Sequence, residues 1–235
     1  MKHEWLIRPS SLKGLMAKGT KGNSFGKTAM GIIQEAVLMN KYNIMPIEHT
    51  SKYTEKGIFN EKEGIRMAIE VLGWFDVEVG SPKIRLHNNY LSGEPDVNTS
   101  ILADIKCPFS AKTFPFFDDT NSDYDLQMQA YMDLTGKKQA ELVYCLTNTP
   151  EHIILDEIQK CVYRMMTREE YMDMSLGEVE EIADKFVRSQ SNYDHIPMQK
   201  RVKRFIVERN DETIKTIHKR IDEARVVYDL LYNQI

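Results

Sequence analysis

Gly93-Glu94-Pro95-Asp96, then Val97-Asn98-Thr99-Ser100, then Ile101-Leu102-Ala103-Asp104-Ile105-Lys106: the reading of this chain turns on these residues. The last segment reads as a strand in which one apolar residue, Ile105, separates a carboxylate from an ammonium. Side chains alternate between the faces of a strand, so Asp104 and Lys106 are expected on one face and Ile105 in the core. Asn98-Thr99-Ser100 is turn-forming. Asp96, at the end of the preceding strand, therefore returns beside Asp104. The hairpin gathers two carboxylates and a lysine into one patch.

Outward from that hairpin the elements alternate. Lys83–His87, Tyr90–Val97 and Ile101–Cys107 read as three short strands, with turns at Asn88-Asn89 and Asn98–Ser100. Before them, helical spacing predicts Ser10–Met16, Thr28 to about Lys41, and Lys52–Gly73, the last closed by a glycine stop. A small-residue loop (18–27) and a connector with Pro46 (44–50) separate these helices. After the hairpin come a loop rich in Phe, Pro and Asp, a helix from about Tyr124 to Leu134 closed by Gly136, and a buried strand, Ala140–Leu146. The stretch Glu151–Ser191 is helix-rich, Arg201–Glu208 reads as a strand, and a long helix starts near Asp211. Strands embedded among helices predict an α/β fold, a central mixed β-sheet flanked by helices. No linker composition marks a boundary, so 1–235 is read as a single domain whose part after about 150 has no assigned role.

With 235 residues the chain can bury one sizeable core. A net charge of −4 argues against a general coat for polyanions but allows a local grip on one. No apolar run approaches a membrane span, and the opening Met1-Lys2-His3-Glu4-Trp5 lacks the apolar centre of a secretory signal. Cys107, Cys145 and Cys161 are odd in number and scattered, which predicts reduced thiols and a cytoplasmic location.

Two carboxylates with a lysine are what metal-assisted phosphodiester hydrolysis requires. Hard oxygens hold Mg²⁺, which accepts few protein ligands and keeps several waters. The ion acidifies a bound water and offsets phosphate charge, while Lys106 would orient that water or meet developing charge. An Asp-x-Lys pair is equally the pattern of a surface salt bridge. Two features weigh against that. On the Lys52–Gly73 helix the apolar stripe is Ile58, Ile65, Ala68, Ile69 and Leu72, and Glu61 falls on it, whereas Glu63 and Glu70 fall off it. A carboxylate facing a core needs a metal, a cation or a water network. On the later helix, Gln127 and Tyr131 share an inward face with Tyr124 and Leu134, so they too need polar partners.

With these residues named, the chain resembles the PD-(D/E)XK nucleases of restriction-endonuclease-like fold. Pro95-Asp96 with Asp104-Ile105-Lys106 matches the central motif, the second acid being Asp. Within that superfamily it resembles the phage lambda exonuclease and YqaJ-like recombinase group through Asp104-Ile-Lys-Cys-Pro-Phe-Ser110, Gln127-Met-Gln129, Gly57 with Glu61, and Arg8-Pro-Ser-Ser-Leu12. The likeness spans roughly Ser10 to Leu146. It implies Mg²⁺ or Mn²⁺ held by Asp96, Asp104 and the carbonyl of Ile105 with Glu61 near, a catalytic Lys106, and support from Gln127 and Tyr131, which also belong to the expected DNA-binding set. It further implies contact of Arg8 and Ser11, or Ser10, with a 5′-phosphate. The group implies 5′-to-3′ digestion of duplex DNA in phage-type recombination inside a bacterial host cell, a homotrimer, and a single-strand annealing protein as partner. Three scattered cysteines cannot form the four-cysteine iron–sulfur cluster of one branch.

Other motifs compete less well. Gly22-Asn-Ser-Phe-Gly26-Lys27-Thr28 has three residues between its glycines where a phosphate-binding loop has four, and a helix rather than a strand precedes it. His49, His87, His152 and His195 lack metal-ligand spacing. Phe114, Phe116 and Phe117 read as a loop anchored in the core, with stacking on a DNA end as the rival. Met165, Met166, Met172 and Met174 read as packing residues. Lys200-Arg201-Val202-Lys203-Arg204 suits either a charged sheet edge or a DNA contact. A structure- or site-specific endonuclease and a non-catalytic DNA-binding protein on the same fold are the alternatives to an exonuclease.

Overall fold

The hairpin does form, and its register explains the rest of the site. In the computed structural model, which describes residues 5–19, 25–45, 51–118, 122 and 124–235, β3 (Val97–Asn98) runs antiparallel to β4 (Leu102–Lys106), pairing Val97 with Ala103. Continuing that register would set Pro95 opposite Ile105. Proline has no N–H to give, so the ladder stops there. The expected strand Tyr90–Val97 is accordingly broken: Ser92–Gly93 (β2) pairs instead with Leu86–His87 (β1), as a small separate sheet.

The main sheet has the order β3-β4-β5-β6, with β5 at Gln139–Cys145 and β6 at Val202–Glu208. The β4–β5 pair is parallel and the β5–β6 pair antiparallel. The predicted mixed α/β sheet is thus observed. Helices cover both faces. On one side α3 (Lys52–Leu72) packs Ile65, Met67 and Ala68 against Ala103, Ile105, Val143 and Cys145. On the other, α4 (Asp125–Thr135) packs Met128, Tyr131 and Met132 against Leu102, Leu142 and Tyr144. As expected, Gly73 and Gly136 end these two helices in the left-handed conformation (φ 71° and 74°).

The α1 helix (Leu12–Leu15) follows a 3₁₀ turn at Pro9–Ser11, and α2 (Lys27–Tyr42) packs with it against α7 (Asp211–Gln234). The C-terminal third therefore supplies an edge strand and part of the main core. Only the hairpin of α5 (Glu151–Met166) and α6 (Leu176–Ser189) keeps a small core of its own, around Ile154, Cys161, Ala183 and Val187. The methionine reading needs correction there: Met165 packs against that core, but Met166, Met172 and Met174 are exposed. Strand β6 is the sheet edge, which places Lys203 and Arg204 on an edge strand. Among the described residues no helix is long and apolar enough to cross a membrane.

Three expectations fall partly outside the described residues: 20–24 of the glycine-rich loop, 46–50 of the connector with His49, and 119–121 with 123 of the loop rich in Phe, Pro and Asp. The helix α1 before the glycine-rich loop is the predicted one, not the strand a phosphate-binding loop requires.

Candidate active site

The apolar stripe assigned to α3 is wrong in its N-terminal half. Ile58 is 68% exposed, while Lys56 and Asn60 are buried. The cause is Gly64, where an added Cβ would sit 2.7 Å from Ile105 and 3.0 Å from Cys107. Backbone is pressed onto the sheet at that point, so residues one and two turns before Gly64 are turned inward too. Lys56 Nζ donates to the Phe109 carbonyl (3.0 Å) and Thr149 Oγ1 (3.2 Å), and Asn60 Nδ2 donates to Thr147 Oγ1 (2.8 Å) and the Asn148 carbonyl (2.7 Å). Burial pushes the Lys56 ammonium down to about 8. Glu61, one position beyond Asn60, lies at the edge of the buried face with 28% of its side chain exposed. It looks toward the hairpin rather than into the core.

Where β3 peels away, the Asp96 side chain takes over the hydrogen bonding that the strand gives up. Its Oδ2 accepts from the backbone N–H of Ile105 at 2.8 Å. In a strand the N–H and C=O of one residue face the same neighbour. The Ile105 carbonyl therefore points toward Asp96 as well, and Pro95 has no N–H to offer it. The Pro-Asp dipeptide in this way leaves a main-chain oxygen without its ladder partner beside a carboxylate.

Asp104 and Lys106 share the face of β4 under α4, as alternation predicts. Asp104 is only 2% exposed. Its Oδ1 accepts from Gln127 Nε2 at 2.8 Å, and its Oδ2 lies 2.6 Å from Lys106 Nζ without hydrogen-bond alignment. Burial, reinforced by the charge of Asp96, holds the Asp104 carboxyl above the ordinary carboxylate range, with Lys106 opposing the shift. Lys106 reaches Gln127 Oε1 at 3.4 Å and stands over the Tyr124 ring at 4.2 Å. Gln127 also donates to Tyr131 Oη (3.3 Å), which donates to the Glu94 carbonyl (3.3 Å). The helix α4 thus locks both ends of the acid–lysine pair, and Gln127 and Tyr131 are engaged with the site's own groups.

Sequence reasoning missed Lys83. It is not in strand β1 but in the coil before it, where Nζ donates to Glu61 Oε2 at 2.7 Å and Asp96 Oδ1 at 2.6 Å. The coil has no period to read, so no sequence signal pointed to it. At the N-terminus, Arg8 and Ser10 are exposed and Ser11 is half-buried. Pro9, between Arg8 and Ser10, has its ring against Gly93 at distances that would exclude a Cβ (2.7 Å). Phe114 is buried against Phe116, as the core-anchor reading predicts, whereas Phe117 is 96% exposed.

No family model matches the chain, and no curated protein matches it by sequence. Its fold is shared by solved structures. One is a phage-related exonuclease from Haemophilus somnus 129PT, with TM-score 0.71 and 23% identity over 99% of this chain and 97% of that one. Another is the alkaline exonuclease LHK-Exo from Laribacter hongkongensis, with TM-score 0.61 and 15% identity over 97% and 90%. LHK-Exo in complex with dAMP gives 0.59 and 14% over the same shares. The match runs through residues 150–235, so the common fold includes β6, α7 and the helical hairpin as well as the segment around the hairpin β3–β4.

The donor set fits a hard divalent cation. A buried Asp104 oxygen lacks an aligned hydrogen bond. Beside it stand Asp96 and the carbonyl of Ile105, with Glu61 one lysine away. Among the described residues no three His, Cys, Asp or Glu side chains converge into a metal cage. Mg²⁺ does not need one, since one or two carboxylates with a carbonyl and waters satisfy it.

Proposed function

We propose that this chain is a metal-dependent DNA exonuclease of the PD-(D/E)XK superfamily. One observation carries the reading: a buried aspartate, Asp104, is clamped between Lys106 and Gln127 on the strand whose edge is vacated at Pro95-Asp96. A surface salt bridge would have no cause to be buried or to have a helix built around it. Two exonucleases sharing the fold over nearly the whole chain support the same conclusion.

Asp96, Asp104 and the Ile105 carbonyl, with Glu61, would hold Mg²⁺ or Mn²⁺. When bound, the ion would acidify a water and offset charge on the scissile phosphate. The protein's own groups do the rest. Gln127 fixes the Asp104 carboxylate and the Lys106 ammonium at once, so neither has to reorganise when a phosphate arrives. Lys106 stands between Asp104 and the face of Tyr124, placed to orient the attacking water or to meet developing charge on the phosphate oxygens. Tyr131 anchors Gln127 to the Glu94 carbonyl, tying α4 to the chain just before Asp96. Arg8 with Ser10 and Ser11, next to Gly93, would take the 5′-phosphate of the strand end. A 5′-to-3′ direction, a homotrimer, a single-strand annealing partner and a role in phage-type recombination in the host cytoplasm complete the proposal.

The test is digestion of end-labelled linear duplex DNA with Mg²⁺ beside nicked and closed circles. Label lost from linear DNA alone, at the 5′ end first and abolished by Lys106→Ala, is the expected result. Cutting of closed circles would replace the proposal with an endonuclease. No cleavage with Mg²⁺ or Mn²⁺ by folded protein would leave a DNA-binding protein.

A further inference from the structure

Lys83 occupies one oxygen on each of two carboxylates that a divalent cation would use. Of the two Asp96 oxygens, Oδ2 already accepts the Ile105 N–H, and Lys83 sits on the less engaged Oδ1 at 2.6 Å. The same ammonium takes Glu61 Oε2 at 2.7 Å. Asp96 is 12% exposed and Glu61 28%, so each carboxylate is partly stripped of water and needs a counter-charge in the ion-free protein. Lys106 cannot supply it, being held on Asp104 at 2.6 Å and on Gln127. Lys83 also has somewhere to go. It forms one wall of a cavity of about 300 Å³ shared with Val77, Gly80 and Pro82, and it is carried on coil rather than on a strand or helix.

We infer that Lys83 is a built-in counter-ion: it holds Glu61 and Asp96 in place while the site is empty of metal, and competes with the divalent cation for them. The inference rests on the proposed metal site. It makes Lys83 a positioning residue, distinct from Lys106, that sets the metal concentration at which the enzyme becomes active.

The test is Mn²⁺ titration of the full chain by calorimetry without DNA, in wild type, Lys83→Gln and Lys83→Arg. A charge-assisted hydrogen bond to a carboxylate is strong enough that its removal should tighten Mn²⁺ binding about tenfold in Lys83→Gln. Lys83→Arg, which keeps the charge, should bind like wild type. A lysine that only braced the two acids would give weaker binding when removed. Equal or weaker Mn²⁺ affinity in folded Lys83→Gln, or tightening in Lys83→Arg as well, overturns the inference and leaves the metal site standing. No Mn²⁺ binding by any of the three overturns both. A second measurement uses wild type alone: acetylation of the Lys83 amine, read by peptide mass spectrometry, should rise when Mg²⁺ is added. Unchanged reactivity under conditions where calorimetry shows the ion bound overturns the inference independently of any variant.

Discussion

Two polar clusters flank strand β4, one under each helix, and they are built on opposite principles. Under α3, Lys56 and Asn60 give their hydrogens to neutral acceptors, two main-chain carbonyls and two threonine hydroxyls. Under α4 and at the vacated edge, three carboxylates meet two lysines, and one carboxylate oxygen has no aligned hydrogen bond. The first cluster is closed, leaving neither buried nitrogen without a partner. It ties α3 to the chain on either side of the site, at Phe109 and at Thr147–Thr149. The second is charge-dense and incomplete, which stabilises little and suits a site awaiting a cation and a phosphate. Burial of a charge does not by itself mark a functional site; the difference here is the gathering of like charges around it.

The largest effect that separates the clusters is expected at Lys106 and Asp104. Lys106→Ala or Asp104→Asn should lower nuclease turnover by about 10²-fold or more, while the ion-free Asp104→Asn protein unfolds at or above the wild-type temperature. A neutral Asn at 104 no longer resists ionisation by burial. Marked destabilisation of Asp104→Asn in thermal melts would show that the second cluster is structural after all.

Next in size is a pH effect at Lys56. Its folded pKa, about 8, lies below the ordinary lysine value of 10.5, so the unfolded chain binds the extra proton between those limits. Stability therefore rises with pH across that window. Relative to Lys56→Met, wild type should gain roughly 3 kcal/mol in urea denaturation between about pH 7 and pH 11. Parallel pH profiles for the two proteins would mean that Lys56 is not desolvated.

Asn60→Ala should cost about 2 kcal/mol through two lost hydrogen bonds and the acceptors left behind. The Mn²⁺ affinity of the folded protein should stay near that of wild type. A change in metal affinity matching the loss of stability would erase the distinction between the clusters. The smallest effect is expected for Tyr131→Phe, whose two hydrogen bonds are long. Stability should change by less than about 1 kcal/mol, and turnover should fall by less than in Lys106→Ala. A loss of turnover as large as that of Lys106→Ala would move Tyr131 from positioning Gln127 to direct contact with substrate.

What the sequence determined by itself is whatever depends on one element and its period. Alternation along a strand put Asp104 and Lys106 together and Ile105 opposite them, and helical spacing paired Gln127 with Tyr131. Glycine stops placed the ends of α3 and α4 to within a residue or two. The tertiary structure decided what depends on how elements meet. Ile58 was the better apolar candidate, yet the close approach at Gly64 turned Lys56 and Asn60 inward and left Ile58 in water. Pro95 cut short a strand that its neighbours favoured, because the residue it would oppose is Ile105. Lys83 came to the acids along a coil that follows no period. Periodicity reports which side of an element is apolar, whereas the packing of one element on another fixes which side is buried, and the two diverge where a glycine lets a helix backbone lie against the side chains of a sheet.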